Sequence, residues 1–538
     1  MSAPHPVPSF AKNFPASTAS PSKVFLFPGV TDESTKAVRR VLTENDQRYD
    51  IYESLRFAHN HFSHSVLTRY ALGAPAKLLE DTWAYDEPHL VSLDPEAGDR
   101  KTDMSKVPKE VTRENWDEPK YLAFEGAYSR YLKFFHEEVT RLGPIETVKE
   151  YVFSPRANWG GHQPKMLARI LAGFYHPIIH IGLGLEFRDR VMIAEGLAMA
   201  CVHKVDLFEE MFPSDFPREI YDSASSSSSS SPSTARSNTR SEDHWTLHET
   251  LNGPRQPLKG KSLLEIAGEV QKDPALKPVK YDPDMLMRDR FIGAASEGRG
   301  ARLRELVGQW SLTDEELSDG PTGWLSKVEE LAVLATLVTC ATSRVGKPPR
   351  VDFFLMHALT SSIFIPSFLT VLTIPERRAL LSAYGLATFQ FSISRGRPQI
   401  SPDFIMSQPA FPTAPGTEVG QGRATDVVSD PSDRRSRNAW LSLIESCLYA
   451  RDSHVPKSIR ALAHHDAHFG AIPPGGFIGA FTLADPQKES FPGSSKLDGS
   501  IFLRGAGVIM GVKGWCREGE KEGGWDRSAL GYDEAWKV

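Results

Sequence analysis

The chain is poor in cysteine. Its 538 residues include only four, Cys201, Cys340, Cys447 and Cys516, and no two of them form a C-x-x-C pair. We therefore expect neither a disulfide framework nor a zinc site built from thiolates, and the composition fits a reducing compartment.

Long apolar runs and an excess of positive charge are also missing. No apolar stretch reaches the roughly 18 residues that a membrane-spanning helix takes, and the net charge is −6. The charge gives no electrostatic case for binding nucleic acid or an anionic membrane. The first residues lack a basic region followed by an apolar core, so no signal peptide is predicted. We expect a cytoplasmic protein that neither inserts into membranes nor binds nucleic acid; its oligomeric state stays open.

Several catalytic motifs are absent as well. The chain has no P-loop, no H-E-x-x-H and no G-x-S-x-G elbow. The run from Gly182 to Phe187 resembles a dinucleotide fingerprint, but Phe187 stands where the third glycine belongs and no strand–turn–helix unit surrounds it. A tightly bound flavin is therefore not expected.

The hydrophobic pattern is mostly helical and predicts an all-α fold with few short strands. Residues 1–22 and the serine-rich stretch 223–242 are too polar to bury a core. We therefore predict one helical domain over 23–538, interrupted by the 223–242 insertion. The strand candidates are 24–27 and Ile501–Arg504. Helical spacing of apolar residues marks Ala123–Leu142, Met192–Phe208, Leu325–Thr342, Ala379–Phe391 and Asn438–Ala450.

Histidines in apolar surroundings are the feature that points to chemistry. In His176-Pro-Ile-Ile-His180, Pro177 suits the first turn of a helix, which places His176 at the helix start and His180 about one turn later. Burying two imidazoles costs free energy unless each ring finds a partner, a metal or a ligand. Glu186 is a candidate to orient one of these rings. Two satisfied core histidines are the structural alternative.

Two further segments repeat the pattern. His61 and His64 share one face of a predicted helix, whereas His59 points elsewhere unless the helix starts there. His357 lies in an apolar segment with Asp352 nearby. The His464–His468 cluster is predicted to be a solvated helix end, and His454 is left undecided.

Imidazoles without thiolates suit zinc, copper, iron or nickel. The same rings could instead act without a metal, as general bases on an acidic phenol or enol. Residue types and spacing leave both alternatives open.

The order of these motifs resembles the fungal questin oxidase-like family. The resemblance rests on His-Asn-His-x-x-His, His-Pro-Ile-Ile-His-Ile-Gly-x-Gly-x-Glu-Phe, Asp-Phe-Phe-Leu-Met-His-x-x-Thr-Ser-Ser and a C-terminal Gly-Tyr-Asp-Glu-Ala-Trp. It spans about residue 45 to 538. The family includes an aflatoxin-pathway oxidoreductase described as a Baeyer–Villiger enzyme.

The resemblance implies an oxygen-dependent oxidoreductase, a monooxygenase or ring-cleaving dioxygenase of secondary metabolism. Its substrates would be O2 and a small anthraquinone-type aromatic polyketide, with NADPH as a possible co-substrate. It further implies non-haem Fe(II) held by histidines and a carbamylated lysine. Carried over by motif, the ligand candidates are His59, His61, His64, His176, His180 and His357.

One position departs from the family pattern. The resemblance places the lysine in a Leu-Leu-x-x-Lys segment, where this chain has Leu380-Leu-Ser-Ala-Tyr384. The site would then bind metal more weakly, use water or the Tyr384 phenolate, or be altered in catalysis; Lys347 is a poor substitute in a predicted loop. With His180 and Glu186, Tyr384 completes the predicted catalytic set. The alternatives are a metal-free NADPH-dependent oxidase and a catalytically altered protein that binds an apolar ligand.

Overall fold

The protein is described from a computed structural model. It describes residues 25–53, 59–94, 102–227, 255–319, 323–416, 428, 430 and 432–537. The predicted N-terminal tail, 1–22, lies outside these residues. The first five residues of the predicted insertion, 223–227, continue a helix, and the rest of it lies outside the described residues.

The described residues form 21 α-helices and one two-stranded antiparallel sheet, which confirms the predicted all-α class. The helices are α1 (Asp32–Arg48), α2 (Phe62–Ala71), α3 (Ala76–Asp86), α4 (Tyr128–Leu142), α5 (Pro144–Val148), α6 (Pro155–Asn158), α7 (Met166–Arg169), α8 (Ala172–Phe187), α9 (Arg190–Val202), α10 (Arg218–Ser227), α11 (Leu263–Lys272), α12 (Met287–Ala295), α13 (Arg299–Val307), α14 (Leu325–Cys340), α15 (Met356–Ser362), α16 (Ile365–Leu369), α17 (Ile374–Ser394), α18 (Pro402–Ser407), α19 (Ala439–Cys447), α20 (His454–Phe469) and α21 (Ile501–Lys513). In the sheet, β1 (Tyr49–Glu53) pairs with β2 (Leu90–Ser92), Tyr49 opposite Ser92.

The five predicted helices are present with shifted ends, but both predicted strands are wrong. Ile501–Arg504 is the first turn of α21, because apolar and small residues continue at helical spacing through Met510. Residues 25–27 are irregular, and Phe27 N donates to the Ala71 carbonyl at 2.7 Å. A short apolar run becomes a strand only beside another strand, and neither segment has one.

The centre of the molecule is the pair α8 and α9. Both helices are apolar around most of their circumference and almost entirely buried, as a helix enclosed on all sides requires. Helix α9 also packs on α4, and α8 packs on α15, which packs on α20 in turn. Helix α2 contacts both α8 and α20, so four helices that carry histidines meet at one place. None of the described helices has the length and apolarity to cross a membrane.

A glycine sets how closely α8 and α9 approach. A Cβ on Gly196 would lie 2.8 Å from the Ile181 backbone nitrogen and 3.2 Å from the His180 Cβ. The first contact is with backbone and cannot be relieved by rotating a side chain. Any larger residue here must push the two central helices apart.

We expect Gly196→Ala to lower the free energy of unfolding by about 1–3 kcal/mol, because it overpacks this crossing. The matched control is Gly511→Ala in α21, where an added Cβ meets nothing within 4 Å. That change should be neutral or stabilise by up to about 1 kcal/mol. Denaturant unfolding of both variants measures the difference, and equal effects would contradict the close approach.

Candidate active site: a buried histidine cluster

The His176-Pro-Ile-Ile-His180 segment begins with a bend. Gly173, Phe174 and Tyr175 have φ values of 54°, 56° and 64°, so three left-handed residues precede the right-handed helix that starts at His176. A Cβ on Gly173 would lie 2.2 Å from His203 Nε2, so glycine is required there for space as well as for conformation. The predicted position of His176 at the start of the helix is confirmed.

Four imidazole rings converge where these helices meet. His61 precedes α2, His176 starts the regular part of α8, His357 lies in the first turn of α15, and His454 is the first residue of α20. One ring nitrogen each from His61, His176 and His454 lies within 4.8 Å of the others. The His357 ring centroid lies 5.1 Å from that of His176 and 5.0 Å from that of His454. We call these four residues the histidine cluster.

Hydrogen bonds on the outer side of the rings determine their tautomers. His176 Nδ1 donates to the Gly173 carbonyl at 2.5 Å, and His357 Nδ1 donates to the Phe353 carbonyl at 2.9 Å. Because a neutral imidazole carries one hydrogen, each Nε2 keeps a lone pair. His357 Nε2 is buried and has no hydrogen-bond partner in the described part of the chain. The cluster therefore presents bare nitrogens to a common centre.

His454 completes the arrangement. Its Nδ1 donates to Asp452 Oδ1 at 2.8 Å, and its buried Nε2 has no partner among the described residues. Trp525 and Lys513 donate to the other Asp452 oxygen at 2.6 and 3.0 Å. Although burial opposes it, the contacts with His454 and the charge of Lys513 hold the pKa of this carboxyl well below its usual range. A carboxylate behind an imidazole is the usual outer partner of a metal-binding histidine.

The fourth ring, His61, faces His176. Their Nε2 atoms lie 2.8 Å apart, and His61 has a backbone hydrogen bond to His59. Burial lowers the pKa of His61 and of His454 to about 3, and that of His176 well below its usual range. All of these rings are therefore neutral near pH 7, as metal ligands must be.

His64 and His180 bond to each other and not into the cluster. His64 Nε2 lies 2.9 Å from His180 Nδ1, and His180 Nε2 lies 2.5 Å from Glu195 Oε2. This corrects the role predicted for Glu186, whose carboxylate accepts from Arg460 at 2.5 Å on another side of α8. The sequence did not predict Glu195 as a partner of His180, because Glu195 lies on α9 and only the crossing of α8 and α9 brings the two side chains together.

His59 supports the cluster from behind. Its ring stacks on that of His176 with centroids 3.9 Å apart and planes 12° apart. Its Nε2 lies 2.7 Å from the Nε2 of His203, a residue the motifs did not point to, which donates from Nδ1 to the Met199 carbonyl at 2.6 Å. Asp352, considered as an aid to His357, instead accepts from the backbone nitrogens of Phe354 and Leu355, just before α15, and pairs with Arg395 at 2.8 Å.

Tyr384 stands at the predicted lysine position, whereas Lys457 lies elsewhere in the chain, on α20. The Tyr384 hydroxyl forms both of its hydrogen bonds with α15: it lies 2.6 Å from Ser361 Oγ and donates to the Ala358 carbonyl at 2.8 Å. It is not directed at the cluster. Lys457, one turn along α20 from His454, is 5% exposed, and its positive charge lowers the pKa of every cluster histidine. Lys457 is thus the lysine beside the site. Its spacing from His454, His-x-x-Lys, was the signal available in the sequence.

His464 and His465 are buried, contrary to the predicted solvated helix end, and His465 Nε2 lies 2.8 Å from Ser362 Oγ. They are not part of the cluster, because they lie more than two turns further along α20 than His454.

Comparisons with known proteins identify the family of the chain. The model of the Questin oxidase-like family matches residues 58–462, which include all four cluster histidines. A Baeyer-Villiger oxidase of Pestalotiopsis microspora is 27% identical over 442 residues, 81% of this chain and 82% of the relative. The questin oxidase of Aspergillus terreus is 25% identical over 337 residues, 61% and 62% of the two chains. The oxidoreductase AflY of Aspergillus parasiticus is 24% identical over 427 residues, 78% and 70% of the two chains. The chain belongs to the questin oxidase-like family and is an oxygen-dependent oxidoreductase.

Proposed function

We propose that this enzyme inserts oxygen into, or cleaves, a ring of an anthraquinone-type aromatic polyketide, at a non-haem Fe(II) held by His61, His176, His357 and His454. One observation carries the proposal. Outer hydrogen bonds occupy the Nδ1 atoms of His176, His357 and His454, and the buried Nε2 atoms of His357 and His454 have no partner among the described residues. Such atoms are costly unless something binds them.

The donor set suits iron. Four neutral imidazoles without a thiolate bind first-row divalent metals and leave coordination positions for other ligands. Iron bound there would supply the activation of O2. The surroundings suit a flat aromatic substrate, since the rings of Phe353 and Phe174 lie 5.0 and 6.0 Å from that of His357. NADPH is the proposed co-substrate where one oxygen atom is inserted, because the second atom must then be reduced.

Lys457 is the proposed anionic ligand. A buried ammonium beside four metal-binding nitrogens repels a cation. Carbamylation, in which the neutral amine adds CO2 and releases a proton, replaces that positive charge with a negative one and turns the repulsion into attraction. This assigns to Lys457 the role that the family resemblance placed at position 384.

A metal-free acid–base oxidase is the weaker alternative. A general base works best when its pKa lies near the working pH. Burial holds the pKa of His61 and His454 at about 3, far below that range. Neutral rings of this kind are better suited to binding a metal than to cycling protons.

We expect His357→Ala and His454→Ala to leave the purified protein with a small fraction of the iron bound by the unsubstituted chain after anaerobic reconstitution, because each removes a ligand. His465→Ala is the matched control, a buried histidine of α20 outside the cluster. Metal analysis and O2 uptake with a panel of anthraquinones measure the effect. Full iron content in both cluster variants, or turnover that survives a strong chelator, would contradict the iron site.

Asp452→Asn tests the outer partner of His454. The amide keeps the shape of the side chain but removes the charge that stabilises the Nδ1 hydrogen, so iron affinity should fall about 10–100-fold. Competition with a chelator of known affinity measures it. The comparison variant is Asp466→Asn, since Asp466 accepts from Trp440 at 2.8 Å and touches no cluster ring. An unchanged affinity in Asp452→Asn would show that this carboxylate does not support the metal.

Lys457→Gln should weaken iron binding, whereas Lys457→Glu should restore part of it by returning a negative charge. Tyr384→Phe should leave iron content unchanged, because its hydroxyl bonds to α15. Incubation with 13C-bicarbonate should add a carbamate carbon signal that is absent from Lys457→Gln. A carbamate signal that persists in Lys457→Gln, or iron loss in Tyr384→Phe, would overturn the assignment.

A further inference from the structure

We propose that His64 donates a hydrogen bond to a carbonyl oxygen of the aromatic substrate, and that Glu195, acting through His180, is the positioning residue that keeps His64 a donor. The inference deepens the proposed function and rests on it, since it names a contact to the substrate of the same site. Its basis is a chain of two short hydrogen bonds that ends on a buried nitrogen without a partner.

His180 links the two ends of this chain. Its Nε2 lies 2.5 Å from Glu195 Oε2, and its Nδ1 lies 2.9 Å from His64 Nε2. The side chains of His180 and Glu195 are 1% and 4% exposed, so no bulk water competes for these bonds. In a neutral imidazole one nitrogen donates and the other accepts. The direction of every bond in the chain is therefore set by whether Glu195 donates or accepts.

The surroundings of Glu195 favour the neutral carboxyl. It lies close to the carboxylates of Asp46 and Asp189, and the opposite influence of His136 is smaller than that of Asp46. Within the described ranges no arginine or lysine pairs with it, and the hydrogen bond from Asn45, which favours the carboxylate, is weaker than the influence of either aspartate. Burying an unpaired charge is expensive. Burial raises the pKa of Glu195 well above its usual range, in agreement with this environment.

A neutral Glu195 sets the direction of both hydrogen bonds, from Glu195 to His180 and from His180 to His64. Its hydroxyl donates to His180 Nε2, so the hydrogen of His180 lies on Nδ1 and is donated to His64 Nε2. The hydrogen of His64 then lies on its own Nδ1. That atom is buried and has no hydrogen-bond partner among the residues described. A buried donor left unsatisfied is costly, so an acceptor from outside the chain is expected there.

The position of His64 identifies the acceptor. Its ring centroid lies 5.9 Å from that of His176 and 6.3 Å from that of His61, so an acceptor reaching Nδ1 sits beside the proposed iron ligands. A quinone carbonyl accepts hydrogen bonds and has none to donate. When an oxygen nucleophile adds to the carbonyl carbon, negative charge develops on the carbonyl oxygen. The N–H of His64, held at that oxygen, would stabilise this charge.

The test compares two flat tricyclic probes, 9,10-anthraquinone with carbonyls and anthracene without them, binding to the full-length protein kept anaerobic. We expect the unsubstituted chain to prefer the quinone. His64→Phe and Glu195→Leu should reduce that preference about tenfold, the value of one buried hydrogen bond. Glu195→Gln should retain it, because the amide N–H donates to His180 as the neutral carboxyl does.

His465→Phe is the control for His64→Phe, since His465 is another buried histidine whose Nδ1 has no partner among the described residues. Its preference should match that of the unsubstituted chain. Infrared difference spectra give a second readout: the carbonyl stretch of bound anthraquinone should move to lower wavenumber in the unsubstituted and Glu195→Gln proteins. It should not move in His64→Phe.

Three results would overturn the inference. The first is an unchanged quinone preference in His64→Phe, or no binding of either probe. The second is a Glu195→Gln variant that behaves like Glu195→Leu, which would mean that the carboxyl is an acceptor. The third is iron loss in His64→Phe as severe as in His357→Ala, which would make His64 a ligand. Because the readouts are binding and vibration without turnover, they fail or succeed independently of the metal analysis.

Discussion

Each buried imidazole must place its one ring hydrogen on an acceptor, and this requirement organises the whole site. Where a carbonyl or carboxylate behind the ring takes that hydrogen, as it does for His176, His357 and His454, the opposite nitrogen keeps its lone pair. The ring nitrogens of the histidine cluster then face one another where their helices meet. A buried lone pair without a partner costs free energy. The packing of the core helices must therefore hold these rings in place.

Part of the free-energy cost of this arrangement is backbone strain. Three consecutive left-handed residues, Gly173 to Tyr175, interrupt the chain just before His176, and the carbonyl of Gly173 is the one that fixes its tautomer. The close approach of α9 at Gly196 sets the distance between His180 and Glu195. Strain and close packing thus lie at the residues that position imidazoles, a location typical of functional sites.

Sequence patterns were informative about residue types and weak about partners. Pro177 predicted where the α8 helix turns right-handed, and the apolar setting of His357 predicted its burial, since both depend on neighbours along the chain. The roles predicted for Glu186 and Tyr384 rest on nearness in sequence and on the family resemblance. Their side chains point to Arg460 and to α15, because position around a helix decides which neighbour a residue meets.

The amino-acid sequence by itself determined that the protein is helical, that it buries histidines without thiolates, and which family it resembles. These properties follow from composition, local spacing and motif order. Only the tertiary structure decided that His454 joins His176, that Glu195 bonds to His180, and that His64 also bonds to His180. Each of these contacts joins two different helices, and the crossing of those helices is set by packing of the core, which no local pattern encodes.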